Sequence, residues 1–167
     1  MSAPVVPVAL VPGVLALLPE YASIEDPVAE LRASCLAAVG RLGPRVRVVA
    51  SGGSGGSGGR VGAALVAAVG SSVVESGETG VLVVGNGSGR RTEKAPGHFD
   101  ERAEGFDAAL RADLGSADPA LADELWADVA ALSELDGREL ADADVLYDDL
   151  PFGVQYWVAV WGSRDGR

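Results

Sequence analysis

The stretch Val81-Leu82-Val83-Val84-Gly85-Asn86-Gly87-Ser88-Gly89-Arg90-Arg91 decides the architecture. Its apolar half has no polar alternation, the pattern of a strand covered on both faces. It runs straight into a glycine-rich turn with a basic end. Beyond the turn, Phe99, Ala103, Phe106, Leu110 and Leu114 recur at helical spacing, which predicts a helix starting near His98 or Phe99.

The same alternation extends in both directions. Residues 5–11 read as a first buried strand, stopped by Pro12-Gly13. Asp26-Pro27 is an N-cap and first-turn pair, and Val28, Leu31, Cys35, Val39 and Leu42 then form one apolar stripe. Residues 46–50 give a second strand, and residues 60–69 a helix through Val61, Leu65, Ala68 and Val69. Val73-Val74 is a short strand. Asp118-Pro119 caps a helix with Leu121, Leu125, Val129, Leu132 and Leu135 inward. Residues 144–147 form a short strand, and the acidic turn Asp148-Asp149-Leu150-Pro151 leads to a last strand, 153–161.

Strands alternating with helices predict a single α/β domain over residues 1–167, a layered fold with a largely parallel central sheet flanked by helices. The last strand, reached by a short turn, is expected to be antiparallel and at the edge. Trp157 and Trp161 share one of its faces with Gln155 and Ala159, opposite Val154, Tyr156, Val158 and Val160. Two apolar faces mean burial on both sides or a subunit interface, and burial is the preferred reading.

Composition narrows the function. The net charge of −11 repels phosphate backbones, which argues against nucleic acid. No uncharged apolar run reaches the roughly 20 residues of a membrane helix, and residues 1–4 lack a basic leader, so a cytoplasmic, membrane-free protein is expected. Cys35 is the only cysteine and lies on an inward stripe, which reads as an inert buried thiol. The arginine-rich basic set, with Lys94 the only lysine, fits a high-GC bacterial gene. The chain has one histidine, His98. A site of two histidines and a carboxylate, or a zinc site with two or three histidines, therefore cannot form within one chain. No metal or cofactor is expected, short of a site shared between subunits or built from carboxylates.

Ser51 to Gly59 reads Ser-Gly-Gly three times over, a flexible-linker composition. It is read as an engineered replacement of a longer native loop, with a natural low-complexity insert as the alternative. It is expected to be mobile and free of chemistry.

Ligands of such sheets collect beyond the carboxyl ends of the strands. There Gly13 is small, the linker is glycine and serine, and the turn 85–94 is polar. Asn86, Gly87 and Ser88 offer a backbone that approaches closely, and Arg90, Arg91 and Lys94 supply positive charge for a small anionic molecule. The competing reading is a structural turn whose cations pair with Glu93, Asp100, Glu101 and Glu104. His98 is a candidate general base or a helix-flanking residue, and Asp148 a catalytic or, with Asp149, hard-cation candidate, or part of a solvated turn.

Three stretches together resemble the class III extradiol ring-cleavage dioxygenase (LigB-like) superfamily, in a small actinobacterial branch. They are residues 8–20 with Pro12-Gly13 and Leu17-Leu18-Pro19-Glu20, residues 84–98, and residues 147–157. The resemblance implies an α/β dioxygenase-like domain. Ring-cleaving members use non-haem iron(II) and place a first histidine ligand where this chain has Gly13. The resemblance thus implies a metal-free, catalytically degenerate domain that serves as a binding module or engineered scaffold. Two alternatives stay open. One is an enzyme, either with an intersubunit or carboxylate metal site or as a hydrolase or lyase using His98 with Arg90 and Arg91. The other is a homo-oligomeric assembly protein joined through the C-terminal strand.

Overall fold

The computed structural model describes residues 6–18 and 28–162. The Asp26-Pro27 cap lies outside the described residues. Six strands form one sheet in the order β3-β2-β4-β1-β6-β5: β1 (Val8–Val11), β2 (Arg45–Ala50), β3 (Ser72–Val73), β4 (Gly80–Val84), β5 (Asp144–Asp149) and β6 (Tyr156–Trp161). β1 and β2 each pair parallel with β4, and β3 pairs parallel with β2. β6 is antiparallel to both β1 and β5. The fold is therefore a layered α/β fold with a mostly parallel sheet and antiparallel C-terminal strands. The edge position belongs to β5. β6 lies inside the sheet because β5 folds back onto its open side.

Strand alternation sorts the core into two layers. Ala9, Val11, Leu82, Val84, Tyr156, Val158 and Val160 face α1 (Ala29–Gly40) and α2 (Ser57–Ala68). Val8, Leu10, Val81, Val83, Trp157, Ala159 and Trp161 face α3 (Ala103–Ala112), α4 (Pro119–Glu124) and a 3-10 segment at Ala130–Leu135. The two faces of the last strand divide as its sequence alternation predicts, and all six residues of β6 are buried. Burying each Leu or Val side chain is worth about 1.5–3 kcal/mol, so a central strand apolar on both faces holds both helix layers.

Such a strand is indifferent to a one-residue slip as far as burial goes. Its register is set at its ends. A Cβ on Gly80 would lie 2.5 Å from the Leu42 carbonyl oxygen, and one on Gly85 2.7 Å from that of Asp128. Shifting Val81 or Val84 into either place would drive a side chain into backbone.

Two helices differ from their periodicity. α3 begins at Ala103, not near His98, because residues 95–102 close a series of turns. His98 takes φ +61°, its N–H bonds the Ala95 carbonyl, and the Asp100 carboxylate caps the Arg102 N–H at 2.9 Å. Phe99 is left 55% exposed instead of packing inward. The stripe from Leu121 to Leu135 is not one helix either. α4 ends in a Schellman turn: the Trp126 N–H bonds the Asp123 carbonyl, the Ala127 N–H bonds the Ala122 carbonyl, and Trp126 occupies the left-handed position at φ +62° that glycine usually fills. The break lets Asp128 form an antiparallel bridge with Asn86.

The Ser-Gly-Gly segment adopts defined structure. Gly53–Gly55 make a 3-10 turn, and α2 starts at Ser57, three residues before the helix start that the sequence predicts at Arg60. Gly58 and Gly59 are buried, and a Cβ on Gly58 would sit 3.2 Å from Val84 and 3.3 Å from Ala50. Repeated glycine here permits helix α2 to lie close against β2 and β4.

Candidate functional site

The carboxyl ends of β1, β2 and β4 deliver Gly13, Ser51 and Asn86 to one place, and the Schellman turn after α4 brings Asp128 to meet them. The Ser51 hydroxyl donates to Asp128 Oδ1 at 2.5 Å. Asn86 and Asp128 exchange backbone hydrogen bonds of 3.0 and 3.1 Å. A Cβ on Gly13 would stand 3.1 Å from Val84 Cγ1 and 3.8 Å from Asp128 Oδ2. A cavity of about 490 Å³ opens beside the pair, walled by Leu114, Ala117, Pro119, Ala122 and Val129, with Asp123 and Ser133 as further polar lining. Sequence reasoning finds Gly13 and Asn86 here but misses Ser51 and Asp128. Ser51 reads as linker, and Asp128 falls inside an apparently continuous helical stripe.

The donors at these strand ends do not fit the iron(II) centre of ring-cleaving dioxygenases. They comprise one carboxylate, one hydroxyl and one amide, without an imidazole. Among the described residues no group of three His, Cys, Asp or Glu side chains is arranged to hold a metal ion.

The turn 85–91 is engaged inside the fold. The N–H groups of Asn86, Gly87, Gly89 and Arg91 bond the carbonyls of Asp128, Gln155, Leu125 and Gly153. That of Ser88 bonds Asp107. These five donors point at the protein and leave no nest facing solvent. Gly87 is obligatory at its place, since a Cβ there would lie 2.6 Å from Asp107 Oδ1 and 3.0 Å from Gln155 Cβ.

Beneath the turn a polar chain runs from the buried Asp107 and Gln155 out to Asp148 and Arg111 at the surface. Asp107, 1% exposed, accepts the Ser88 hydroxyl at 2.8 Å and Arg91 Nη1 at 3.0 Å. Arg91 also donates to Gln155 Oε1 at 3.1 Å, and Gln155 Nε2 donates to Asp148 Oδ1 at 2.9 Å. Asp148 is in turn gripped by both terminal nitrogens of Arg111, at 2.5 and 2.7 Å, and the Arg111 guanidinium sits over the Trp157 ring at 5.4 Å. Burial pushes the Asp107 carboxyl above its ordinary value, against the lowering by Ser88 and Arg91. The Arg111 fork holds Asp148 below its ordinary value. The Trp157 indole N–H contributes to that lowering but does not reach hydrogen-bond geometry, and it remains the one buried side-chain donor without a partner among the described residues.

The remaining candidates are dispersed. Arg90 ties two turns together through the His98 and Glu124 carbonyls at 3.3 and 3.1 Å, with Asp100 3.7 Å away. Of the four carboxylates expected to pair with the turn's cations, Asp100 does so, while Arg91 takes Asp107. Lys94 and His98 are exposed. Among the described residues no hydrogen bond or ion pair links the His98 ring to a carboxylate. Asp148 and Asp149 belong to β5 and not to a turn. Ser88, the one serine with a carboxylate partner in this cluster, is fully buried. Within this cluster, among the described residues, no nucleophile and base face a common open space; at the strand ends the Ser51 hydroxyl does donate to the Asp128 carboxylate.

Comparison with protein-family models returns no match, and no curated protein matches the chain. Among the described residues no helix is long and apolar enough to cross a membrane.

Proposed function

We propose that this domain is a metal-free, catalytically degenerate relative of the extradiol dioxygenases that works as a binding module, taking a small molecule into the cavity beside Ser51 and Asp128. One observation carries the reading: the strand ends where ligands of such folds collect converge on Gly13, Ser51, Asn86 and Asp128, a set able to hydrogen-bond but lacking both the imidazoles of an iron(II) site and a histidine base beside the Ser51 hydroxyl. The glycine-serine segment fits the same reading as a designed loop on a scaffold.

The lining favours a ligand with an apolar body and a donor or cationic head. Apolar side chains make the walls, and the ionisable groups on them, Asp123 and Asp128, are both acidic. A small anion suits the site less well, since Arg90 and Arg91 already hold carbonyls and carboxylates elsewhere. Titration of the labelled protein with benzylamine and with benzoate, followed by amide chemical shifts, tests this. Benzylamine is expected to shift Ser51, Ala122 and Asp128, and Asp128→Asn to weaken it about tenfold, the loss of a charge-assisted contact. Preference for benzoate, or shifts confined to residues 88–94, would overturn the assignment.

A further inference from the structure

We infer that the open edge of β2 binds an extended, lysine- or arginine-bearing peptide as an added strand. β3 covers only the start of β2, pairing with Arg45 and Val46. The hydrogen bonds show which groups remain. In a parallel strand alternate residues turn both backbone groups to the same side. The Pro44 and Val46 carbonyls accept the Ser72 and Val74 N–H groups, so even-numbered residues face β3, while the Arg45 carbonyl accepts the Thr79 N–H on the β4 side. Val48 and Ala50 are the next even residues. Their outward N–H and C=O groups meet no strand among the described residues, because β3 ends at Val73. A groove of about 660 Å³ lies in that place, lined from both faces of β2 by Arg47, Val48, Val49 and Ala50.

Two residues with donor and acceptor both turned outward, two positions apart, match an extended backbone and little else. Gly53, Gly59 and Ala63 keep the groove clear of bulk. Charge selects the occupant. Glu75 lines the groove, and its one cation, Arg47, is already bound by Glu78 at 3.1 Å and Glu134 at 3.3 Å. One cation among three carboxylates favours a basic strand, and a chain of net charge −11 disfavours a second copy of itself. This edge is a site separate from the cavity beside Asp128, and its occupation does not require that cavity to be filled.

The test uses the peptide acetyl-Lys-Val-Lys-Val-Lys-Val-amide and its aspartate counterpart, with amide hydrogen exchange followed by NMR. The lysine peptide is expected to slow exchange at Val48 and Ala50 at least about tenfold at millimolar concentration, and to lose the effect as salt rises. Ala63→Trp, which fills the groove, and Val48→Pro, which removes an outward donor without touching the β4 ladder, should each abolish protection. No protection in the unmodified protein, equal protection by the aspartate peptide, or protection that grows with protein concentration alone would each overturn the proposal. The last result would place a second copy on the edge instead.

Discussion

Ser88 gives both of its donors to one carboxylate: its N–H meets Asp107 Oδ1 and its hydroxyl Asp107 Oδ2, each at 2.8 Å. With Arg91 completing the shell at 3.0 Å, the glycine-rich turn is locked to α3 rather than held open for a ligand. Asp107→Ala would leave the half-buried Arg91 guanidinium with Gln155 but no carboxylate, and the buried Ser88 N–H and hydroxyl without their acceptor. The expected cost is about 3–5 kcal/mol in urea denaturation. A loss below about 1 kcal/mol would show that the network is not what fixes the turn.

Acid should act through Asp100 and Asp148. The Arg102 side chain holds Asp100 down to about 2, and Arg111 lowers Asp148. A carboxyl whose folded value lies below its unfolded value of about 3.9 stabilises the fold above that pH and loses its contribution as pH falls through the folded value. Asp107, raised by burial, acts in the opposite sense: its protonation in acid relieves the fold. Melting temperature followed from about pH 5 to pH 2 should therefore fall, and Asp148→Asn should flatten that fall. An unchanged slope in the variant would contradict the role given to Arg111.

Glycines of the Ser-Gly-Gly segment should separate into two kinds. A Cβ on Gly59 would collide with the Gly53 carbonyl oxygen and sit 2.8 Å from Ser54 Cα, whereas one on Gly55 meets nothing within 4 Å. Gly59→Ala is expected to cost about 1–3 kcal/mol, and Gly55→Ala to be neutral or to stabilise by about 0.4–1 kcal/mol. Equal, negligible effects in thermal denaturation would mean that the segment behaves as a free linker.

The layered sheet was legible because burial on two faces leaves an apolar signature that needs no partner information: β1, β4 and β6, and the stripe of α1, stand in the sequence nearly where they stand in the fold. What was not legible depends on single hydrogen bonds. Trp126 at φ +62° ends α4 inside an unbroken apolar stripe, and nothing in the residue type announces it. That break is also what delivers Asp128 to the strand ends, so one local hydrogen-bond pattern hides both the end of α4 and the site residue. Linker-like composition hid Ser51 in the same way. Glycine repetition signals flexibility in isolation, but here the missing side chains make room for Val84 and Ala50. The edge position of β5 depends on a fold-back pairing with a register shift between Val145 and Tyr147, which alternation alone does not specify.

Cys35 should report unfolding and little else. It is fully buried, and burial pushes its thiol up to about 12, outweighing the nearby Arg32. Reaction with a disulfide reagent such as DTNB at about pH 8 should proceed only as fast as the fold opens, accelerating with urea along the unfolding curve. Rapid labelling in native buffer would contradict the packing of α1 against the sheet.

With one carboxylate, one hydroxyl and one amide, the strand ends offer too few donors to grip a transition metal. Metal content of the full chain, purified without chelator and then dialysed against excess iron(II) or zinc, measures it directly. Well under about 0.1 ion per chain is expected. About one ion per chain, lost in Asp128→Ala, would contradict it.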